Sequence, residues 1–151
     1  MTNSWTWTVT IDAKPEQVWG LVGDLDRQHE WSPKPYKVEW LSGEPNAVGS
    51  AFRSTGWLPN DKNHSMEGTV KVADSMKTFE VVSHDDKEEW TNRYDLSPSG
   101  AQTTVTKTMT GPALTGMKEW SRTAIFALYV TRAVQGGMEN LKAKAEAEPA
   151  G

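Results

Sequence analysis

The stretch from Ile11 to Pro33, IDAKPEQVWGLVGDLDRQHEWSP, limits what this chain can fold into more than any other part of it. It follows an alternating segment, Ser4 to Ile11. There Trp5, Trp7, Val9 and Ile11 share one face and Ser4, Thr6, Thr8 and Thr10 the other, the period-2 mark of a half-buried strand. Pro15 then suits the first turn of a helix, where its missing N–H costs nothing, and Glu16 complements the positive helix end. Val18, Leu21 and Val22 form the apolar stripe of that helix, with Trp19 at its flank. Gly23 stops it, and Asp24 is placed to cap a second short helical piece from Leu25 to Glu30.

Six strand candidates follow, most of them bounded by turn residues: Tyr36 to Leu41, Gly49 to Trp57, His64 to Ala73, Thr78 to Ser83, Lys87 to Leu96 and Gln102 to Thr110. In the third, Met66, Gly68, Val70 and Val72 alternate with Glu67, Thr69 and Lys71; the fifth breaks at Ser97-Pro98-Ser99-Gly100. Short connections at this spacing predict an antiparallel meander. From Met117 to Glu146 the period becomes 3.6, with Trp120, Ala124, Ala127, Thr131, Val134, Met138, Leu141 and Ala145 on one stripe. Small residues in the middle of that stripe leave room between the helix and whatever it packs on.

The 151 residues fit one domain, expected to span 1–147 with a flexible tail at 148–151. The net charge of −4 comes without a basic stripe, so nucleic acid is not expected as a partner. No apolar run approaches the ~20 residues that cross a bilayer, and the first residues lack the pattern of a signal peptide. A cytoplasmic protein with no integral membrane association is the expectation. The absence of cysteine excludes disulfides and thiol chemistry, and His29, His64 and His84 have no metal-ligand spacing. Neither a nucleophile elbow nor a phosphate-cradling glycine loop is present, so no cofactor and no metal are expected. Asp85, Asp86, Glu88 and Glu89 read as a solvated turn.

The order of one strand, two short helices, six strands and a long terminal helix resembles the helix-grip fold of the START-like superfamily (SRPBCC, or Bet v 1-like). The nearest likeness is to its polyketide cyclase/dehydrase-like branch. The likeness rests on Ile11 to Trp19, Asp24-Leu25, Glu30 to Pro33, Val48 to Arg53 and Gly137 to Lys142. It implies an α+β fold in which a curved antiparallel sheet of about seven strands wraps around the C-terminal helix and encloses an apolar pocket. On strand and helix parity, the pocket would draw on Met66, Val70, Phe79, Trp90, Asn92, Tyr94, Lys107 and Met109 from the sheet. The helix would add Trp120, Ala124, Ala127, Thr131 and Met138.

Lys107 is the most pointed of these. Between Val105 and Met109 it is either an inward cation in need of a partner or, if the threonine face points inward, a solvated lysine, the commoner situation. Asn92 and Tyr94 would orient a carbonyl or hydroxyl, and Arg53 is a further candidate for an anionic group. The resemblance implies binding, with transport in some relatives, of a small hydrophobic ligand such as a lipid or polyketide. It leaves open a polyketide cyclase/aromatase or dehydratase working through Arg53, Tyr94 or Lys107. A partner-binding module drawing on Ile125, Tyr129 and the Trp57-Leu58-Pro59 loop is a third reading. Catalytic residues are not identified, and the chain is expected to be a monomer or homodimer.

Overall fold

A computed structural model describes residues 2–32, 36–56, 63–112 and 117–148, with the backbone alone for 117–127 and 129. The chain runs β1 (Thr2–Ile11), α1 (Pro15–Val22), a 3-10 helix (Leu25–Glu30), β2 (Lys37–Ser42), β3 (Ala51–Thr55), β4 (Ser65–Asp74), β5 (Thr78–His84), β6 (Glu89–Ser99), β7 (Gln102–Pro112) and α2 (Met117–Ala147). All seven strands form one antiparallel sheet in the order β1-β7-β6-β5-β4-β3-β2. This is the helix-grip architecture.

The sheet order explains the two short helices. β1 and β2 lie at opposite edges, so the 25 residues between them must carry the chain across the sheet. Gln17 accepts the Lys14 N–H at the start of α1 (3.0 Å), and Asp24 accepts the Asp26 N–H to start the 3-10 helix (3.0 Å). Val18, Leu21, Val22 and Leu25 turn inward and are buried together with Ile11, Phe52, Phe79, Val105 and Met109. The apolar stripe thus seats both helices over one end of the concave face.

Two features of the sheet depart from strict alternation. A bulge in β4 moves the register from Val70 opposite Val81 to Val72 opposite Glu80. The extra residue, Lys71, reverses parity, so Ala73 and not Val72 faces the core beside Phe79. In β6 the strand runs through Pro98 to Ser99 instead of breaking at Ser97. The Leu96 N–H points toward β5, bonding the Lys77 carbonyl, so the nitrogen of residue 98 points the same way, beyond the end of β5. A proline there sacrifices no ladder bond.

The described part of α2 buries Val130, Val134, Met138, Leu141 and Ala145. Its C-terminal end is tied to the short helices by polar contacts. Arg27 bonds Glu30 and Glu148, Lys144 approaches Glu30 at 3.3 Å, Gln17 donates to the Glu148 carbonyl (2.9 Å), and the Asp12 N–H donates to Glu146 (2.9 Å). Glu148, expected to open a flexible tail, is part of this clasp. Of the sheet and the short helices, α2 packs mainly on β1 and α1.

Candidate functional site

Space remains between the short helices and the inner face of strands β3 to β7. It measures about 80 Å³ and is lined by Val22, Leu25 and Gln28 from the helices, Tyr36 before β2, and Ser54, Met66, Phe79, Val81, Ser83, Trp90, Asn92, Tyr94, Lys107 and Met109 from the sheet. Gln28, Tyr36, Trp90 and Asn92 are half-buried and mark its solvent side, while the other lining residues are buried. A dry cavity of ~150 Å³ accommodates a benzene ring. The space therefore suits a ring only if the ligand also reaches toward that open side or displaces a flexible wall residue such as Met66 or Met109.

Aromatic rings build much of the wall. Trp90 lies across Gly111 of β7, where an added Cβ would fall 2.2 Å from the indole, and packs nearly parallel to Trp5 at 6.1 Å between centroids. Phe52 lies across Gly68 of β4 in the same manner, with an added Cβ 2.4 Å from its ring. Glycine at these two positions is what lets an aromatic side chain lie flat on the neighbouring strand. Trp31 meets Tyr94 edge to face at 5.9 Å.

The polar groups fall into two sets. Near the open side, Tyr36 is half-exposed as a residue but its phenol is turned in and hydrogen-bonds Ser54, and burial of that phenol pushes it up to about 12. On the deeper wall, Lys107 faces inward at 8 % exposure, directly across from Tyr94 in the β6–β7 ladder. Its ammonium lies 5.0 Å from the centre of the Tyr94 ring, a cation–π contact. Tyr94 is only 4 % exposed, and its hydroxyl has no hydrogen-bond partner among the described residues. The inward parity of β7 is thus Thr103, Val105, Lys107, Met109, and the alternative in which the threonine face points in does not hold.

Of the residues singled out from sequence, Met66, Phe79, Trp90, Asn92, Tyr94, Lys107 and Met109 come together on this cavity wall. Val70 and Met138 do not line it: both are sealed in the packed core, and Thr131 is half-buried on α2 away from the wall. The side chains of Trp120, Ala124, Ala127, Ile125 and Tyr129, and the loop Trp57-Leu58-Pro59, lie outside the described residues. Arg53 is on the opposite face of the sheet, paired with Glu67 at 3.1 Å and Glu39 at 3.6 Å, because its strand turns Phe52 and Ser54 inward. His64 pairs with Asp85 at 3.3 Å outside the cavity lining. Asp85 also accepts the Lys87 and Glu88 N–H groups, which hold its carboxyl below the usual range.

Gln28, Tyr36, Ser54 and Ser83 were not anticipated as lining residues. Ser54 and Ser83 carry a signal in hindsight: each takes the inward parity of its strand, after Phe52 and Val81. Gln28 and Tyr36 carry none, since only tertiary packing brings the 3-10 helix and the segment before β2 over the sheet.

Solved structures share this fold at low sequence identity. The Zhui aromatase/cyclase of a Streptomyces species superposes with a TM-score of 0.77 at 14 % identity, over 97 % of this chain and 94 % of that one. A protein of Chromobacterium violaceum gives 0.73 at 15 %, over 97 % and 99 %. Ara h 8.0201 gives 0.70 at 11 %, over 98 % and 100 %. No curated protein sequence matches the chain. Among the described residues no helix is long and apolar enough to cross a membrane. Fold and family together support a hydrophobic-ligand-binding or polyketide-cyclase-like module. The family model described as polyketide cyclase/dehydrase and lipid transport matches residues 4–146, and the chain belongs to that family.

Proposed function

We propose that the chain binds a small hydrophobic ligand in the cavity beneath the short helices. The observation that carries this reading is a buried wall of Phe79, Val81, Met66 and Met109 interrupted by the Tyr94 hydroxyl, which has no hydrogen-bond partner among the described residues. A buried hydroxyl without a partner costs about 1–3 kcal/mol, a cost that a ligand group bonding to it would remove. Apolar contact would supply affinity: an aromatic ligand burying about 150 Å² gains roughly 4 kcal/mol before association costs.

A polyketide cyclase, aromatase or dehydratase working in the same cavity is the second reading, supported by the fold likeness to the Zhui aromatase/cyclase. The lining chemistry favours binding over that. Among the described lining residues the ionisable groups are Tyr36, Tyr94 and Lys107, with no carboxylate or imidazole to serve as an ordinary proton acceptor. Thermal unfolding with and without 2-naphthamide, an uncharged aromatic probe, tests the binding reading. The expected outcome is a melting temperature raised by a few degrees at about ten times the dissociation constant. No shift at any concentration up to the probe's solubility would contradict it.

A further inference from the structure

Lys107 is a buried lysine that no described carboxylate pairs with. It sits between Val105 and Met109 on β7, across from Tyr94 on β6 and Trp7 on β1. The Tyr94 ring meets one side of its ammonium, 5.0 Å from the ring centre. Among the described residues no carboxylate forms an ion pair with it, although the chain carries 20 acidic residues. Two arginines on the strands are paired: Arg53 has Glu39 and Glu67, and Arg93 has Glu80 and Asp95, all outside the cavity lining. Among the described lining residues, the cavity thus holds the ammonium of Lys107 and no carboxylate, with the Tyr94 ring against it and the Tyr94 hydroxyl without a described partner.

We infer that Lys107 and Tyr94 form an anion subsite, and that the ligand is a hydrophobic weak acid held as its anion, an aromatic or branched carboxylate or a comparably acidic enol. The inference rests on the cavity-binding reading and adds the ligand's chemical class to it. One anionic oxygen would take the ammonium of Lys107 and the hydroxyl of Tyr94 together, completing both groups at once. Both groups are largely buried, and between buried groups an opposite charge is worth more than at the surface. The apolar remainder of the ligand would lie along Met66, Phe79, Val81 and Met109. A neutral ligand of the same shape would gain the same apolar contact but leave the ammonium unpaired.

The test compares 2-naphthoate with 2-naphthamide, which share size and shape and differ in charge, on the wild type, Lys107→Met, Lys107→Arg and Tyr94→Phe. Methionine keeps the length of the side chain and repacks readily against aromatic rings, so the fold is expected to survive. Calorimetry or fluorescence titration should show wild type binding naphthoate at least about tenfold tighter than naphthamide, as expected for a hydrogen bond to a charged group. Lys107→Met should erase that preference while leaving naphthamide within about twofold, and Lys107→Arg should keep it. Tyr94→Phe should weaken naphthoate about three- to tenfold. Equal affinity for the two probes in the wild type, or a preference untouched by Lys107→Met, overturns the anion subsite and leaves the cavity reading standing. Failure of both probes to bind overturns the cavity reading and the subsite with it.

Discussion

Tyr94 is the residue at which stability and binding pull in opposite directions. Its ring packs against Trp31 and supports the Lys107 ammonium, while its hydroxyl is buried without a partner among the described residues. Tyr94→Phe keeps both ring contacts and removes only the orphan oxygen. The ligand-free protein is therefore expected to gain about 1 kcal/mol, read as a melting temperature higher by about 2–4 °C, while affinity for 2-naphthoate falls. A drop in melting temperature would show that the hydroxyl is satisfied in the folded protein. At this scale the sequence was legible wherever alternation was unbroken. Asn92, Tyr94 and Lys107 could be placed on inward parity, although a threonine-rich strand such as β7 offers two plausible faces until packing chooses one. Val72 could not be placed, because nothing in the residues from Met66 to Ala73 announces the bulge. Arg53 drew attention by its chemistry alone, while its strand parity, set by Phe52 and Ser54, sends it to the outer face.

At the scale of elements, the segment after β1 was the most legible part of the chain because its local signals agree. Proline opens α1, the apolar spacing fits one helical face, and Asp24 caps the 3-10 helix as its position suggests. What the sequence does not reveal is the clasp joining these helices to the end of α2, since charged residues on helix surfaces usually face water. Arg27 lies at its centre and holds the Glu30 carboxyl at about 2, against 4.5 for a free glutamate. A carboxyl depressed in the folded state contributes stability above its unfolded value and loses it as the pH falls through its folded value. The clasp should therefore be at full strength above pH 4.5 and weaken progressively toward pH 2. Arg27→Gln is expected to cost about 1 kcal/mol at neutral pH and to flatten the acid limb of stability between those values, followed by urea unfolding at each pH. An unchanged acid limb would mean that the ion pair is screened and inert.

At the scale of the molecule, the sheet and the short helices enclose a space that neither defines alone. β1 and β2 occupy opposite edges, the short helices bridge between them over one end, and α2 packs mainly on β1 and α1. The element order made this architecture readable from the sequence, because few folds place two short helices between a first strand and a six-strand meander. The extent of the cavity was not readable. Val70 and Met138 share parity with lining residues, yet the packed core closes over them, and the helix and loop that supply Gln28 and Tyr36 reach the wall only through tertiary packing. Methionine methyls offer a direct view of that interior: Met66 and Met109 line the cavity, whereas Met76 sits exposed in the turn between β4 and β5. In protein labelled with methyl-¹³C methionine and titrated with 2-naphthamide, the methyl signals of Met66 and Met109 should shift under the ring and show intermolecular NOEs, with Met76 unmoved. A response at Met76, or no response at Met66 and Met109 under saturating probe, would contradict ligand binding in this cavity.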